Sequence, residues 1–109
     1  MVYLVTEHWW PNSQSEKVGK VYQEVMKKFP EDRSIARPVI QSAVWPSNGK
    51  MHSISVSSIK PGKVKEAMDI AYNRFLMFSN EIEGWEYILN IAYDAVEAMG
   101  LIGLEAPEL

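Results

Sequence analysis

Two runs of apolar and β-branched residues on either side of a short polar turn form the clearest pattern in the chain. The runs cover Val39–Trp45 and Met51–Ile59, and Ser47-Asn48-Gly49-Lys50 lies between them. Asn-Gly favours a type I′ turn, because both central residues of that turn need a positive φ angle. The pattern predicts a β-hairpin whose register pairs Trp45 with His52, Ala43 with Ile54, and Gln41 with Val56.

Alternation along this hairpin predicts two uncharged faces. One face carries mostly large side chains: Val39, Gln41, Ala43, Trp45, His52, Ile54 and Val56. The other face carries Ile40, Ser42 and Val44 of the first strand and the serines Ser53, Ser55 and Ser57 of the second. Because neither face is charged, we expect both to be covered, and the small serines to allow close approach of a helix or a second sheet.

Helical periodicity on both sides of the hairpin predicts two amphipathic helices. Ser13-Gln14-Ser15-Glu16 has the pattern of a capping box, which predicts a helix start near Ser13, and Pro30 ends that helix. Its apolar stripe is Val18, Val21, Tyr22, Val25, Met26 and Phe29. A second helix is predicted from the turn at 60–63 to about Asn80. Its stripe is Val64, Ala67, Met68, Ala71, Phe75 and Phe78.

Two further strands and a short helix complete the predicted elements. Val2–Trp10 and Trp85–Tyr93 alternate as strands. Asp94-Ala95-Val96-Glu97 has a capping pattern that opens a short helix ending by Gly100 or Gly103.

This order predicts an α+β fold of the ferredoxin-like type, βαββαβ with a short C-terminal helix. Right-handed crossovers place both long helices on one face of an antiparallel sheet. We expect one domain at 1–104 and a C-terminal tail at 105–109. The uncovered sheet face is apolar, which predicts a partner on it.

Composition narrows the classes of function. The 109-residue chain has no cysteine, which excludes disulfides and thiolate metal sites and is typical of a cytoplasmic protein. The net charge is −3 and the basic residues are scattered, so a nucleic-acid partner is not expected. No apolar run is long enough for a membrane span, and no signal-peptide pattern opens the chain, so a membrane partner is not expected either.

Three segments resemble the dimeric α+β barrel superfamily, and small uncharacterised members of it in particular. They are the opening strand Met1–Trp9, the segment Ile82–Tyr87 and the helix start Asp94–Ala98. The resemblance implies a homodimer whose two sheets close face to face, with a pocket between each sheet and its helices or inside the barrel. Its members include cofactor-free monooxygenases, haem-degrading monooxygenases, lactone isomerases, polyketide cyclases and stress-response proteins, so the fold alone gives no reaction.

The haem-degrading members use an Asn, a Trp and a His, with the His on the second long helix. Here the segment Lys63–Asn80 contains no histidine, so haem is not expected. The residue sets of the cofactor-free oxygenases do not map onto this chain one by one. We therefore expect no cofactor and no metal, and any catalysis would be cofactor-free proton transfer or oxygenation.

His8 and Glu7 are the candidate catalytic residues. A histidine titrates near neutral pH and could act as a general acid or base, and a carboxylate among aromatic rings could shuttle protons. The alternatives are a hydrogen-bonded core histidine and an ion-paired edge carboxylate. The candidate ligand-binding residues are Trp10, Trp45, His52, Glu86 and Asn90. For these the alternatives are structural: core or dimer-interface tryptophans, a stacked Trp45–His52 pair, and polar groups serving the sheet.

The sequence thus leads to the expectation of a homodimer that binds a small apolar or aromatic molecule, acting as a monooxygenase or isomerase if it is an enzyme. The alternative is a non-catalytic homodimer without a ligand.

Overall fold

The computed structural model describes residues 1–108, so the end of the predicted tail at 105–109 lies outside the described residues. The elements within residues 1–108 are β1 (Val2–Pro11), α1 (Ser15–Lys28), β2 (Ala36–Ser47), β3 (Lys50–Ile59), α2 (Val64–Glu81), β4 (Glu86–Tyr93) and α3 (Ala95–Leu101). A 3-10 turn at Asn12–Gln14 precedes α1. No helix in this part of the chain has the length and apolar content needed to cross a membrane.

The strands form one antiparallel sheet in the order β2-β3-β1-β4, which confirms the predicted ferredoxin-like α+β fold. Both long helices cover the same face, because Trp10 of β1 packs in one cluster with Val21 of α1 and Phe75 of α2. β1 lies in the interior of the sheet and pairs with a strand on each side.

Side chains alternate along β1 between a covered and an uncovered face of the sheet. Leu4, Thr6 and Trp10 are buried beneath the helices. The odd-numbered residues point the other way, towards a face that we call the open face: Tyr3, Val5, Glu7 and Trp9.

The predicted apolar stripes of the helices form the core. Val18, Val21 and Val25 of α1 are buried, as are the corresponding side chains of α2. The α2 residues are Ala67, Ala71, Phe75 and Phe78. Val64, which opens α2, is the exception and remains exposed, because the first turn of the helix extends past the sheet-facing cluster.

The hairpin turn is confirmed. Asn48 and Gly49 have φ angles of 50° and 78°, as a type I′ turn requires. The pairs next to the turn have the predicted register: Trp45 with His52 and Ala43 with Ile54.

The predicted pairing of Gln41 with Val56 is wrong. Ile40 takes that place, because the β2–β3 register shifts twice between Pro38 and Ala43. An irregularity of this kind adds residues to one strand and re-aims the side chains within it. As a result, Gln41 leaves the open face and faces α1 instead.

The capping box predicted at Ser13 is also wrong. Ser13 lies inside the 3-10 turn, α1 begins at Ser15, and no side chain caps its first turn. The Ser15 hydroxyl instead accepts a hydrogen bond from Trp10 Nε1 at 3.0 Å. In contrast, the predicted cap of α3 is confirmed, since the Asp94 carboxylate accepts from the Glu97 backbone N–H at 2.9 Å.

Two glycines with nearly the same φ angle give a direct test of packing just before β4. Gly84 and Gly62 have φ angles of 81° and 76°. A Cβ on Gly84 would lie 2.8 Å from Cγ of Pro11, whereas a Cβ on Gly62 meets no atom of the described residues within 4 Å.

Gly62→Ala should lower the unfolding free energy by about 1 kcal/mol, the cost of backbone strain alone. Gly84→Ala should lose a further ~1–3 kcal/mol from the collision.

Urea unfolding of both variants measures the difference. Equal losses would show that Gly84 is selected for its φ angle and not for its contact with Pro11.

Candidate functional site

A cavity of about 430 Å³ lies between the sheet and the two long helices. Its floor comes from β1, β3 and β2, and its walls come from α1 and α2. The volume is within the range of about 300–1,000 Å³ that is typical of small-molecule sites.

Hydroxyl groups line the floor of the cavity. Ser42 and Ser53 are hydrogen-bonded at 2.9 Å, and the Thr6 and Ser55 hydroxyls form a second pair. Ser57 continues the row along β3. The sequence suggested that these serines let the helices approach closely. The structure shows that they leave an open volume instead, because their side chains are too short to fill the space beneath α1.

Aromatic rings close one end of the cavity. The His8 ring lies in this cluster, with its centroid 5.6 Å from that of Trp10, 5.3 Å from Phe75 and 4.8 Å from Trp85. Trp10 is buried and held by its hydrogen bond to Ser15. These contacts fix the rings as a rigid, apolar end wall.

His8 is electrically neutral at pH 7. Burial, and secondarily the nearby His52, lower the pKa of His8 from 6.5 to about 4. Its Nδ1 is buried, and no group among residues 1–108 hydrogen-bonds to it. His8 therefore lines the cavity as an uncharged ring and is a weak base at pH 7.

The charged side chains at the cavity are engaged at the end of α1. Arg74 donates to the Phe29 carbonyl oxygen from Nε at 2.9 Å and from Nη2 at 2.7 Å. Its Nη1 lies 3.5 Å from Glu31 Oε1. A cation that binds the last carbonyls of a helix stabilises that helix end. The Arg74 charge is thus already compensated by protein groups.

Five of the seven predicted site residues lie away from this cavity, on the open face. The His52 ring lies between two tryptophans: it stacks on Trp9, with ring centroids 4.4 Å apart, and meets Trp45 at a tilt of 50°, with centroids 4.2 Å apart. Its Nε2 lies 3.1 Å from Glu7 Oε1. The His52–Trp45 contact is the one expected from the hairpin register.

Glu86 and Asn90 are exposed on the open face of β4. The Glu86 carboxylate accepts a hydrogen bond from Lys50 Nζ at 2.7 Å, and its side chain is 61% exposed. Glu86 therefore corresponds to the structural alternative, an ion-paired edge carboxylate.

Of the seven predicted site residues, His8 and Trp10 lie together at the cavity, and the other five lie on the opposite face of the sheet. Glu7 and His8 are neighbours in one strand, so their side chains are on opposite faces of the sheet. Among residues 1–108 no cluster of His, Asp or Glu side chains is arranged to hold a metal ion.

Several cavity residues were missed as candidate site residues. Tyr22 and Gln41 join α1 to β2 through a hydrogen bond of 3.0 Å, and Arg74 contributes from α2. Gln41 reaches the cavity through the register shift in β2, which sequence alternation does not reveal. The signal that could have located the floor was the repeat of serine at every second position of β3.

Comparisons with known proteins give a fold likeness and no family. No protein-family model matches the chain, and no curated protein matches it. A formyltetrahydrofolate deformylase of Pseudomonas putida KT2440 is similar in structure, with a TM-score of 0.47 and 5% identity. The match covers 83% of this chain and 28% of the deformylase. A likeness this weak carries no argument about function, and the fold assignment rests on the strand order described above.

The lowered pKa of His8 predicts an acid-sensitive fold. The unfolded chain binds a proton at His8 below about pH 6.5, whereas the folded chain resists it until about pH 4. The contribution of His8 to stability is thus complete above pH 6.5 and is lost as the pH falls to 4. The unfolding free energy should decrease by up to about 3 kcal/mol over this range.

Urea unfolding between pH 7 and pH 4 measures this decrease. A His8→Gln variant should lose that part of the pH dependence, and an unchanged slope in the variant would assign the acid sensitivity to other groups.

Proposed function

We propose that the protein is a homodimer of the α+β barrel type that binds a small apolar or aromatic molecule in the cavity beneath α1. The observation that carries the binding proposal is the cavity itself: about 430 Å³, with a rigid aromatic end wall and a few convergent polar groups. Such a combination is the usual form of a small-molecule site.

Any catalysis in this cavity would centre on His8. It is the one imidazole among the side chains that line the cavity, and it is neutral at pH 7, so it can donate or accept a hydrogen bond without first losing a proton. Glu7 lies on the other side of the sheet, so a joint role of Glu7 and His8 on one ligand has no geometric support. Cofactor-free proton transfer or oxygenation remains the proposed class of reaction if the protein is an enzyme.

The open face supports the dimer proposal. Large side chains are exposed there, including Trp45 at 39% and Ile88 at 43%. Four strands of eight to twelve residues, spaced about 4.8 Å apart at about 3.3 Å per residue, make a face of about 600 Å². Stable interfaces bury about 800 Å² per partner, so this face supplies most of the area that a dimer needs.

A ligand-free homodimer is the second candidate. It is favoured by the position of the Glu7–His52 pair and its flanking Trp9 and Trp45 rings on the open face, where they would serve assembly and not ligand binding. The two candidates differ in whether the cavity takes up a ligand.

Gly19 offers a way to close the cavity without removing any existing contact. It lies on the cavity wall in α1, and a Cβ there meets no atom of the described residues within 4 Å. Gly19→Ala should stabilise the helix by about 1 kcal/mol and leave ligand binding intact. Gly19→Phe should project its ring into the cavity and abolish binding.

The measurement is the thermal-unfolding midpoint of each variant with and without 2-naphthol. The unmodified protein and Gly19→Ala should both shift upwards with ligand by mass action, and Gly19→Phe should not. Equal shifts in all three proteins would place the ligand outside the cavity.

Two isoleucines of β4 test the dimer. Ile88 faces the open side and Ile91 faces the helix side, and they are 43% and 41% exposed. Ile88→Lys should place an unpaired charge in the proposed interface and shift the protein towards monomer, with a dimer dissociation constant raised at least about tenfold. Ile91→Lys, equally exposed and on the same strand, should leave the dimer intact. Light scattering gives the masses, and a dimeric Ile88→Lys variant would remove the open face from the interface.

A further inference from the structure

The hydroxyls of β3 form a regular row along the cavity floor. Ser53, Ser55 and Ser57 occupy alternate positions of one strand and all line the cavity. Residues two apart in a strand are about 6.7 Å apart, so the row repeats at that spacing. Among residues 1–108, no other strand places side chains of one polar type at alternate positions along the cavity.

The hydroxyl row retains hydrogen-bonding capacity. Each hydroxyl has one hydrogen to donate and can accept two. The Ser42–Ser53 pair and the Thr6–Ser55 pair each use one of their two hydrogens internally. Ser53 is fully buried beneath the floor, so the hydroxyls within reach of a ligand in the cavity are those of Ser42, Ser55 and Ser57.

The cavity offers nothing to neutralise a charged ligand. Arg74 and Glu31 at the rim are paired with each other, and Arg74 is also bonded to the Phe29 carbonyl oxygen, so neither charge is free to neutralise a ligand. His8 is neutral. Burial of an ionised carboxylate without a partner is very unfavourable, so the floor and the end wall together favour an uncharged molecule.

The end wall favours a planar molecule. His8 and Trp10 are stacked with an interplanar angle of 22°, and Phe75 meets His8 at 63°. A flat ring can extend such an arrangement by offset or edge-to-face contact. The same molecule would then lie along the floor with one edge towards the serines.

We infer that the cavity selects an uncharged, planar, two-ring or larger aromatic molecule with two oxygen-bearing groups on one edge, spaced to contact alternate serines of β3. This inference rests on the proposed function, because it names the ligand class of the proposed site. It adds an edge geometry, which a merely apolar pocket would not impose.

Isomeric probes test the edge geometry. In 2,7-dihydroxynaphthalene both hydroxyls are on one long edge, at a separation close to the spacing of the serine row. In 2,6-dihydroxynaphthalene they are on opposite edges, although the formula and the functional groups are the same. Calorimetric titration at pH 7 should give an affinity for the 2,7 isomer that is about fivefold higher, the effect of one additional hydrogen bond. Naphthalene-2-carboxylate should bind at least about tenfold more weakly than 2-naphthol.

Serine variants then identify the groups that recognise the edge. Ser57→Ala removes one hydroxyl of the row, and the Ser57 side chain has no hydrogen-bond partner among residues 1–108, so the fold should tolerate the change. It should abolish the preference for the 2,7 isomer. Ser58→Ala is the matched control, because Ser58 is the next residue of β3 and points to the open face. It should retain the preference.

The outcomes distinguish the ligand class from the proposed site. Equal affinity for both isomers, or tight binding of the carboxylate, would overturn the inferred ligand class and leave the cavity as a binding site. Binding of none of these probes, in a protein that unfolds cooperatively, would overturn the proposed ligand site together with the inference.

Discussion

The alternation of side chains along β1 determines where each candidate site residue lies. β1 has a hydrogen-bonded neighbour on both sides, so its register cannot slip without moving every side chain to the other face. Glu7 and His8 are consequently separated by the thickness of the sheet, although they are consecutive in the chain. The strand gives the molecule two chemically different surfaces: a cavity beneath the helices and an aromatic open face.

The cavity follows from the mismatch between large helical residues and small strand residues. The core of α1 and α2 is filled where Val25 and Phe78 pack tightly, but the serines of β3 leave room beneath the middle of α1. A buried hydroxyl without a partner is costly, so Ser42 pairs with Ser53 and Thr6 pairs with Ser55, and the floor stays stable without a ligand. Burial, and secondarily the nearby His52, lowers the pKa of His8 and favours its neutral form.

The fold was largely predictable from the sequence because each element has a local signal. The Asn48-Gly49 turn, the apolar stripes of both helices and the Asp94 cap are confirmed, since they depend on residues close in the chain. The two errors lie where tertiary contacts override local pattern. Gln41 is re-aimed by a register shift in β2, and Ser13 is drawn into a 3-10 turn beside the Trp10–Ser15 hydrogen bond.

The candidate site was predictable only in part, because a residue list does not reveal which face is covered. His8 and Trp10 lie at the cavity, but the choice of His52 and Trp45 followed their aromatic chemistry and not their position relative to the helices. The serines of β3 were noted for their size and not as ligand-facing groups. An empty volume arises from the side chains that surround it, so periodicity alone could not locate it.

In the proposed homodimer the two faces of the sheet have different uses, and a second copy of the chain covers the open face. Hydroxyl-radical footprinting of the unmodified protein across a range of concentrations tests this arrangement most directly. Oxidation of Trp9 and Trp45 should fall as the concentration rises, while that of Trp85, which packs on the helix side, stays constant. Oxidation of Trp9 and Trp45 that is the same at every concentration, in a protein with the mass of a single chain, would contradict the account.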